Sequence, residues 1–253
     1  MIKQRNITNL SIGSWITIPS DEVAEIMSQA GFDWLTIDME HSAITLDKAQ
    51  GLIRIIELYQ VKPLVRVGIN DPTLIKRVMD AGAHGVIVPM VNSKNDAEQA
   101  VGSVKYPPKG FRGVGLARAQ KYGFGFKDYK KWNDEHSLVI VQIEHIQAVE
   151  NLESILSVEG IDGFIVGPYD LSASLGVPGQ FDNIKLIQAQ VKIQEVAHKF
   201  NILRGFHVVH PDHGFFEQKV EEGFNFLAYS LDSIILGNSC RQMLQVARGY
   251  IND

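Results

Sequence analysis

Carboxylate side chains follow two neighbouring apolar runs of this sequence. Glu144 comes after one run, and Asp170 comes after the next run along the chain. If both runs are adjacent parallel strands, the two carboxylates meet at one edge of the sheet and need a cation or a shared proton. Oxygen ligands favour Mg²⁺ or Mn²⁺, which bind one or two carboxylates and take water or substrate as further ligands. The alternative is that both are helix N-caps, with Asp170 placed before Leu171.

Polar side chains also follow the other apolar runs. They are Asp38, Glu40, His41, Arg66, Gln142, His207, His210, Ser230 and Asp232. Each alone is a weak signal, because a polar residue after a strand often caps the next helix. An arginine, a histidine and several carboxylates at one edge indicate a reactive site.

Three kinds of chemistry lack the residues that they require. A Schiff base needs a desolvated lysine, but the nearest candidate, Lys62, precedes its strand instead of following it. The segments after the last two runs contain no phosphate-binding glycine loop. The glycines between Gly110 and Gly115 have neither the spacing nor the strand–turn–helix context of a dinucleotide site. Metal-assisted chemistry remains.

Alternating strands and helices must position these residues. The β-branched apolar runs predict strands at 12–17, 34–37, 63–67, 85–88, 138–143, 163–166, 203–208 and 226–229. Helical spacing predicts helices at 21–30, 45–59, 72–81, 93–104, 148–157, 183–200, 211–222 and 233–250. Asp71 before Pro72 is a start signal, and Gly82 is a stop signal. Eight repeats predict a (β/α)₈ TIM barrel, with an open doubly wound sheet as the alternative.

One long irregular segment, residues 105–137, interrupts this alternation. It is rich in Gly, Tyr, Lys and Phe and offers no second core. We interpret it as an excursion near the site or as a contact between subunits. The whole chain, residues 1–253, is therefore predicted to be a single barrel domain.

Charge and composition argue against several classes of protein. The 253 residues include 24 basic and 29 acidic side chains, a net charge of −5, whereas nucleic-acid binding needs a basic face. No apolar run reaches about 18 residues and no signal-peptide core begins the sequence, so we expect a cytoplasmic protein that does not enter membranes. The single cysteine, Cys240, excludes an intrachain disulfide and is predicted to be a small apolar filler within a helix.

Seven short motifs follow one another along the chain. They are IDMEH at 37–41, PLVRV at 63–67, VPMV at 88–91, YPPKGFRGVG at 106–115, LARAQKYG at 116–123, QIE at 142–144 and VGPYDLSASLG at 166–176. Over residues 13–236 the sequence resembles the HpcH/HpaI aldolases, which are metal-dependent class II pyruvate aldolases. Relatives include 2-keto-3-deoxy-sugar-acid aldolases and 4-hydroxy-2-oxo-heptanedioate aldolase.

The resemblance implies a role for each site residue. Glu144 and Asp170 would hold the metal. His41 would be the acid/base, Arg66 would contact the oxygen that becomes the enolate, and Asp38 would orient Arg66 or metal-bound water. The substrate-binding residues would be Trp15, Gln142, Gly167, Pro168 and Tyr169. A surface or packing role is the alternative for His41.

Asp80 is the further catalytic residue that the resemblance implies, as the partner of His41. Because Asp80 ends a predicted helix, it lies on the face of its own barrel that points away from the site. It would therefore reach His41 from a neighbouring subunit, and the alternative is an ordinary acid at a helix end. The resemblance also implies a homo-oligomer, hexameric or trimer-based, with the last helix exchanged between neighbours.

The implied function is reversible aldol cleavage of a 4-hydroxy-2-oxo acid to pyruvate and an aldehyde, through an enolate stabilised by a divalent metal. Mg²⁺ is the expected ion, with Mn²⁺ or Co²⁺ as alternatives. An oxo-acid decarboxylase, a carbon–carbon ligating synthase or an acyl-CoA lyase is the enzymatic alternative, and a non-catalytic binding protein is the remaining one. Departures from the family at Met39, Tyr169, His207, His210 and His213 leave the aldehyde open.

Overall fold

Eight parallel strands form a closed barrel in this computed structural model, which describes residues 10–249. The strands are β1 (Ser11–Ile16), β2 (Trp34–Asp38), β3 (Lys62–Arg66), β4 (Gly85–Val88), β5 (Leu138–Ile143), β6 (Gly163–Val166), β7 (Leu203–Val208) and β8 (Phe226–Leu231). Each strand pairs with the next, and β8 closes the barrel against β1. The predicted TIM barrel is confirmed, and the open sheet is excluded.

Helices cover the outside of the barrel. They are α1 (Asp21–Gln29), α2 (Leu46–Leu58), α3 (Pro72–Ala81), α4 (Lys94–Val104), α5 (Phe126–His136), α6 (Ile146–Glu150), α7 (Leu152–Leu156), α8 (Pro168–Ser174), α9 (Ile184–Ala197), α10 (His213–Glu221) and α11 (Asp232–Gly249). The sequence missed α5 and α8, and its helix 148–157 is two shorter helices. Within residues 10–249, no helix is both long and apolar enough to cross a membrane.

The signals at the ends of α3 have the predicted geometry. The Asp71 carboxylate accepts a hydrogen bond of 2.7 Å from the backbone N–H of Leu74, and Pro72 occupies the first turn. Gly82 ends the helix with a φ of 108°, in the left-handed region that glycine adopts most readily. The glycine stop at the end of α3 keeps the connection from this helix to β4 short.

The segment 105–137 lies at the amino ends of the strands, on the face opposite the carboxyl ends. The fully buried guanidinium of Arg112 forms an ion pair with Asp80 at the end of α3. It also donates a hydrogen bond of 3.1 Å to the Tyr129 hydroxyl and lies 4.7 Å from the ring centroid of Tyr106. The interpretation of this segment as an excursion near the site is therefore wrong, because α4 ends and β5 begins at the opposite face. Its role as a subunit contact stays a prediction.

The last helix, α11, contacts the barrel mainly through β1 and β8 at its first turns. Beyond them it is exposed, with apolar side chains on its surface at Ile235, Leu236, Met243, Leu244 and Val246. Cys240 is also exposed, so its prediction as a buried filler is wrong. The predicted exchange of this helix between subunits stays a prediction, and residue 250 of the predicted helix lies outside the described residues.

A small apolar core fills the inside of the barrel, separate from the larger layer between the strands and the helices. Its members are Trp15, Trp34, Leu64, Ile87, Ile140, Ile165, Phe226 and Ala228. The rings of Trp34 and Phe226 stack with centroids 4.2 Å apart. Gly13 on β1 makes room for this pair, because a Cβ there would overlap the indole of Trp34.

We expect Gly13→Ala to lower the free energy of unfolding by about 1–3 kcal/mol, because overpacking forces the buried indole to move. Gly51→Ala is the matched control, since Gly51 lies in α2 with no heavy atom within 4 Å of an added Cβ. This control should raise stability by about 0.5–1 kcal/mol through helix propensity. Urea unfolding measures both changes, and a neutral Gly13→Ala would contradict the packing argument.

Candidate active site

A buried ion pair joins β2 and β3 at the carboxyl end of the barrel. Asp38 and Arg66 are register partners at the ends of these strands. The guanidinium donates from Nε to Asp38 Oδ1 at 2.9 Å and from Nη2 to Asp38 Oδ2 at 2.7 Å. This two-pronged geometry fixes the plane and position of the guanidinium. The sequence therefore placed both residues at the correct rim.

The loop after β2 folds back onto Asp38. Asp38 Oδ1 accepts hydrogen bonds from the backbone N–H groups of Glu40 at 3.0 Å and His41 at 3.2 Å. Ser42 donates its hydroxyl hydrogen to the Asp38 carbonyl. Burial raises the pKa of Asp38, but the hydrogen bonds and charge of Arg66 and the two N–H groups outweigh it and lower the pKa below its usual value. Asp38 is therefore a fixed anion.

Glu40 and His41 stand at the tip of this loop. Glu40 Oε2 lies 3.3 Å from Arg66 Nε and has no hydrogen-bond partner among the described residues. Burial raises the pKa of Glu40 to about 7, with further contributions from the negative charges of Glu144 and Asp38 and opposition from Arg66. His41 is exposed, and its Nε2 lies 3.9 Å from Glu40 Oε2. His41 is thus at the open side of the rim, where it can meet a bound molecule.

Trp15 forms the floor beneath Arg66. The guanidinium carbon lies 4.4 Å from the indole ring centroid, a cation–π contact. The imidazole of His207 also stacks on Trp15, with centroids 5.2 Å apart. Trp15 is almost fully buried, and its Nε1 has no hydrogen-bond partner in the described part of the chain.

Glu144 follows β5 and is buried against two donors. The backbone N–H of Met90 donates to Glu144 Oε1 at 2.7 Å, and the Gln142 side-chain amide donates to Oε2. Met90 adopts a φ of 52°, a costly conformation for a non-glycine residue that aims its N–H at the carboxylate. Burial raises the pKa of Glu144, and the negative charge of Asp170 raises it further. A cation here would relieve both effects.

The helix N-cap interpretation of Glu144 and Asp170 is wrong. The N-cap of α6 is His145, whose ring nitrogen accepts from the N–H of Gln147, and the N-cap of α8 is Gly167. Asp170 instead lies in the first turn of α8, where its side chain is exposed. Because β5 and β6 are adjacent, both carboxylates are left free of capping and reach the same region of the rim.

The residues around this pair fit a divalent metal. A Cβ at Gly167 would stand 3.2 Å from Gln142 Nε2 and from Glu144 Cβ, so the glycine keeps a space open beside the carboxylate. Gln142 Oε1 is buried without a hydrogen-bond partner among the described residues. Within residues 10–249 no group of three His, Cys, Asp or Glu side chains could hold a metal alone. Two carboxylates with water and substrate match the usual coordination of Mg²⁺.

A cavity of about 130 Å³ lies at this end of the barrel, beside the side chains described above. Its wall includes Trp15, Arg66, Gln142, Gly167, Pro168, Tyr169, Asp170 and His207, so every substrate-binding residue predicted from the sequence lines it. A groove of about 940 Å³ between α9 and α10 adjoins this cavity and shares Pro168, Tyr169, His207 and Val209 with it. The ring of Tyr169 packs on Phe181 with centroids 4.8 Å apart. His210 lines the outer groove only.

One residue with a predicted role lies away from the site, and two residues without a predicted role lie in it. Asp80 pairs with Arg112 at the opposite face, so within one chain it is far from His41, as its helix-end position predicts. A contact from a neighbouring subunit stays a prediction. Sequence reasoning assigned Glu40 no role and missed Met90, whose contact with Glu144 depends on a backbone conformation that residue type does not reveal.

We expect Glu40→Gln to raise the stability of the metal-free protein more at pH 8 than at pH 5. The folded-state pKa of about 7 exceeds the usual 4.5, so ionisation favours unfolding as the pH rises between these values. Above pH 7 the whole penalty is present, and the amide removes it. Urea unfolding at both pH values measures the gain, with exposed Glu98→Gln as the charge-loss control. Equal gains at both pH values would contradict the assignment.

Comparisons with known proteins agree with this geometry. The family model described as HpcH/HpaI aldolase/citrate lyase matches residues 11–238. A pyruvate aldolase from Rhizobium etli is 36% identical over 227 residues, which cover 89% of this chain and 88% of that protein. A 2-keto-3-deoxy-L-rhamnonate aldolase from Escherichia coli is 35% identical over 248 residues, which cover 96% and 91%.

A solved structure shows the same architecture. An HpcH/HpaI aldolase/citrate lyase family protein from Burkholderia cenocepacia J2315 superimposes with a TM-score of 0.90 at 32% identity, and 95% of each chain is covered. The match to the family model runs through all eight strands and every residue of the rim described above. This chain therefore belongs to the HpcH/HpaI aldolase/citrate lyase family.

Proposed function

We propose that this protein catalyses the reversible aldol cleavage of a 4-hydroxy-2-oxo acid to pyruvate and an aldehyde. The observation that carries the proposal is that Arg66 and Asp170 line one small cavity at the carboxyl ends of the strands, with the buried Glu144 close enough to both to interact with their charges. Family membership supports it, as do relatives named as aldolases at 35–36% identity over most of the chain. No lysine lines the cavity within the described residues, which favours a metal-dependent mechanism over a Schiff base.

Glu144 and Asp170 would hold the divalent metal, with Mg²⁺ proposed first because the donors are oxygen atoms. When bound, the ion would supply Lewis-acid polarisation of the 2-oxo group. Burial first, and then the charge of Asp170, raises the pKa of Glu144, so the ionised pair is unfavourable without a nearby positive charge. Mn²⁺ or Co²⁺ would satisfy the same donors.

Arg66 would stabilise the negative charge that develops on the keto oxygen during bond cleavage. Its guanidinium is held by Asp38 and by the face of Trp15, so it needs no reorganisation when the charge appears. Gln142 would orient the oxo acid. The backbone N–H groups of Tyr169 and Asp170, in the first turn of α8, have no helical acceptor and would bind its carboxylate.

His41 would move the proton at the C4 hydroxyl. Retro-aldol cleavage breaks the bond between C3 and C4, the C4 hydroxyl loses its proton to form the aldehyde carbonyl, and C3 later gains a proton to give pyruvate. An exposed imidazole beside Glu40 can accept and return such a proton, directly or through water. Asp38 would act through Arg66 as a positioning residue.

We also expect a homo-oligomer, hexameric or trimer-based, with α11 exchanged between subunits. The exposed apolar side chains of α11 support a partner surface, because a helix of this composition is stable when its apolar face is covered. In such an assembly a neighbouring Asp80 would be placed to orient His41.

Removal of divalent metal should abolish pyruvate release from 2-keto-3-deoxy acids, because the carboxylate pair alone cannot polarise the oxo group. A coupled pyruvate assay after chelation, with Mg²⁺, Mn²⁺ and Co²⁺ added back, measures this loss and its recovery. Borohydride with substrate should leave activity intact, since no imine forms. Inactivation by borohydride contradicts the mechanism.

Two further arms test the same prediction. Asp170→Ala should lose the activity, whereas Asp128→Ala, at an exposed position on α5, should retain it. Equal pyruvate release from Asp170→Ala and the unchanged protein would show that the activity was a contaminant. Incubation with oxaloacetate and Mg²⁺ separates the enzymatic alternative, because CO₂ release without aldehyde turnover indicates a decarboxylase.

Arg66→Lys should lower kcat by about 10²–10³, because lysine keeps the charge but cannot make the paired hydrogen bonds that aim it. Initial rates at saturating metal and substrate measure the change. Arg54→Lys, on the exposed surface of α2, is the matched control and should leave kcat unchanged. A fall in substrate affinity with kcat intact would instead assign Arg66 to ground-state binding.

A further inference from the structure

His207 lines the site cavity, and the mechanism above gives it no task. It lies on β7 and presents its ring to the barrel interior, stacked on Trp15 at 5.2 Å. Its Nε2 lies 3.3 Å from the backbone carbonyl oxygen of Ser230. Two contacts on two different strands therefore fix the plane and the rotation of this imidazole.

The Ser230 carbonyl determines which nitrogen carries the proton. A carbonyl oxygen can only accept, so Nε2 is the donor and bears the hydrogen. Burial lowers the pKa of His207 to about 4, with the charge of Arg66 acting in the same direction and Ser230 and Asp38 opposing it. The ring is therefore neutral at physiological pH, and Nδ1 carries a lone pair.

His207 lines both the site cavity and the outer groove, so its ring stands where the two spaces meet. The apolar part of the cavity wall includes Trp15, on which His207 stacks, together with Ile165 and Val209. Among the described residues, no group donates a hydrogen bond to Nδ1 of His207. In the proposed mechanism Arg66, the metal site and the N–H groups at the start of α8 account for the oxo and carboxylate groups of the substrate. A ring nitrogen without a proton can only accept, so it matches the hydrogen of a hydroxyl group.

We propose that Nδ1 of His207 accepts a hydrogen bond from a substrate hydroxyl, so that His207 determines a preference for hydroxylated over deoxygenated substrates. The inference rests on the proposed aldol function. The hydroxyl belongs either to the oxo acid, as at C3 of hydroxypyruvate, or to the carbon beside the aldehyde, as in glycolaldehyde. Both sources present the same donor.

His207→Phe tests the inference, because phenylalanine keeps the stacking on Trp15 and removes the acceptor. The values of kcat/KM are compared for hydroxypyruvate against pyruvate with one aldehyde, and for glycolaldehyde against acetaldehyde with pyruvate. One of these two ratios should fall by about 3- to 10-fold, the range of a single hydrogen bond. The ratio that falls identifies the half of the substrate that carries the hydroxyl.

Matched variants distinguish recognition from packing. His207→Gln, which retains an acceptor oxygen, should keep a larger part of the preference than His207→Phe. His210→Phe makes the same exchange in the outer groove and should leave both ratios unchanged. Thermal unfolding midpoints monitor the fold, and His207→Met, which also lacks a nitrogen or oxygen acceptor, replaces the Phe variant if that variant does not fold.

Both ratios unchanged in an active His207→Phe protein would overturn the inference while leaving the aldolase proposal intact. If the unmodified protein turns over none of these pairs, the proposed function fails first. Calorimetric binding of hydroxypyruvate, pyruvate, glycolaldehyde and acetaldehyde to the Mg²⁺-loaded protein then decides the role of His207 without turnover. Preference for a hydroxylated ligand that is lost in His207→Phe supports the role, and equal preference refutes it.

Discussion

The paired hydrogen bonds between Arg66 and Asp38 organise the rim of this barrel. Asp38 also accepts the N–H groups that shape the following loop, and Arg66 lies on the face of Trp15. A buried ion pair adds little to stability when it is compared with apolar side chains, but loss of one partner leaves an uncompensated charge. Its value here is positional, because the loop that carries Glu40 and the indole floor both depend on it.

Negative charge exceeds positive charge around this pair. Four carboxylates, Asp38, Glu40, Glu144 and Asp170, face one guanidinium in the described part of the rim. Burial raises the pKa values of Glu40 and Glu144, and the neighbouring negative charges raise them further, whereas the direct contact with Arg66 lowers the pKa of Asp38. A site that tolerates such an imbalance is suited to a cation, and the burial that raises the pKa values also strengthens the field the cation would exert.

The barrel and its rim were predictable because the strands are short β-branched runs and because parallel strands place their carboxyl ends together. α5 was missed since FKDYKKWNDEH has few apolar residues at helical spacing. Its helix is stabilised by tertiary contacts, such as the hydrogen bond from the Lys105 ammonium to the Asn133 carbonyl. The same limit applies to chemistry. The special states of Glu40 and His207 arise from burial, and the positive φ of Met90 arises from its surroundings, none of which a residue type reports.

The ion pair between Arg112 and Asp80 lies at the end of the barrel away from the rim. Together with Tyr129 and Tyr106 it secures the segment between α4 and β5 on the face opposite the rim of the same chain. Substitutions in the loops after β6 and β7 can therefore change which substrates bind, while the contacts that stabilise the opposite end of the barrel stay the same. Laboratory evolution of new carbon–carbon bond-forming catalysts can exploit this division by randomising one end and leaving the other untouched.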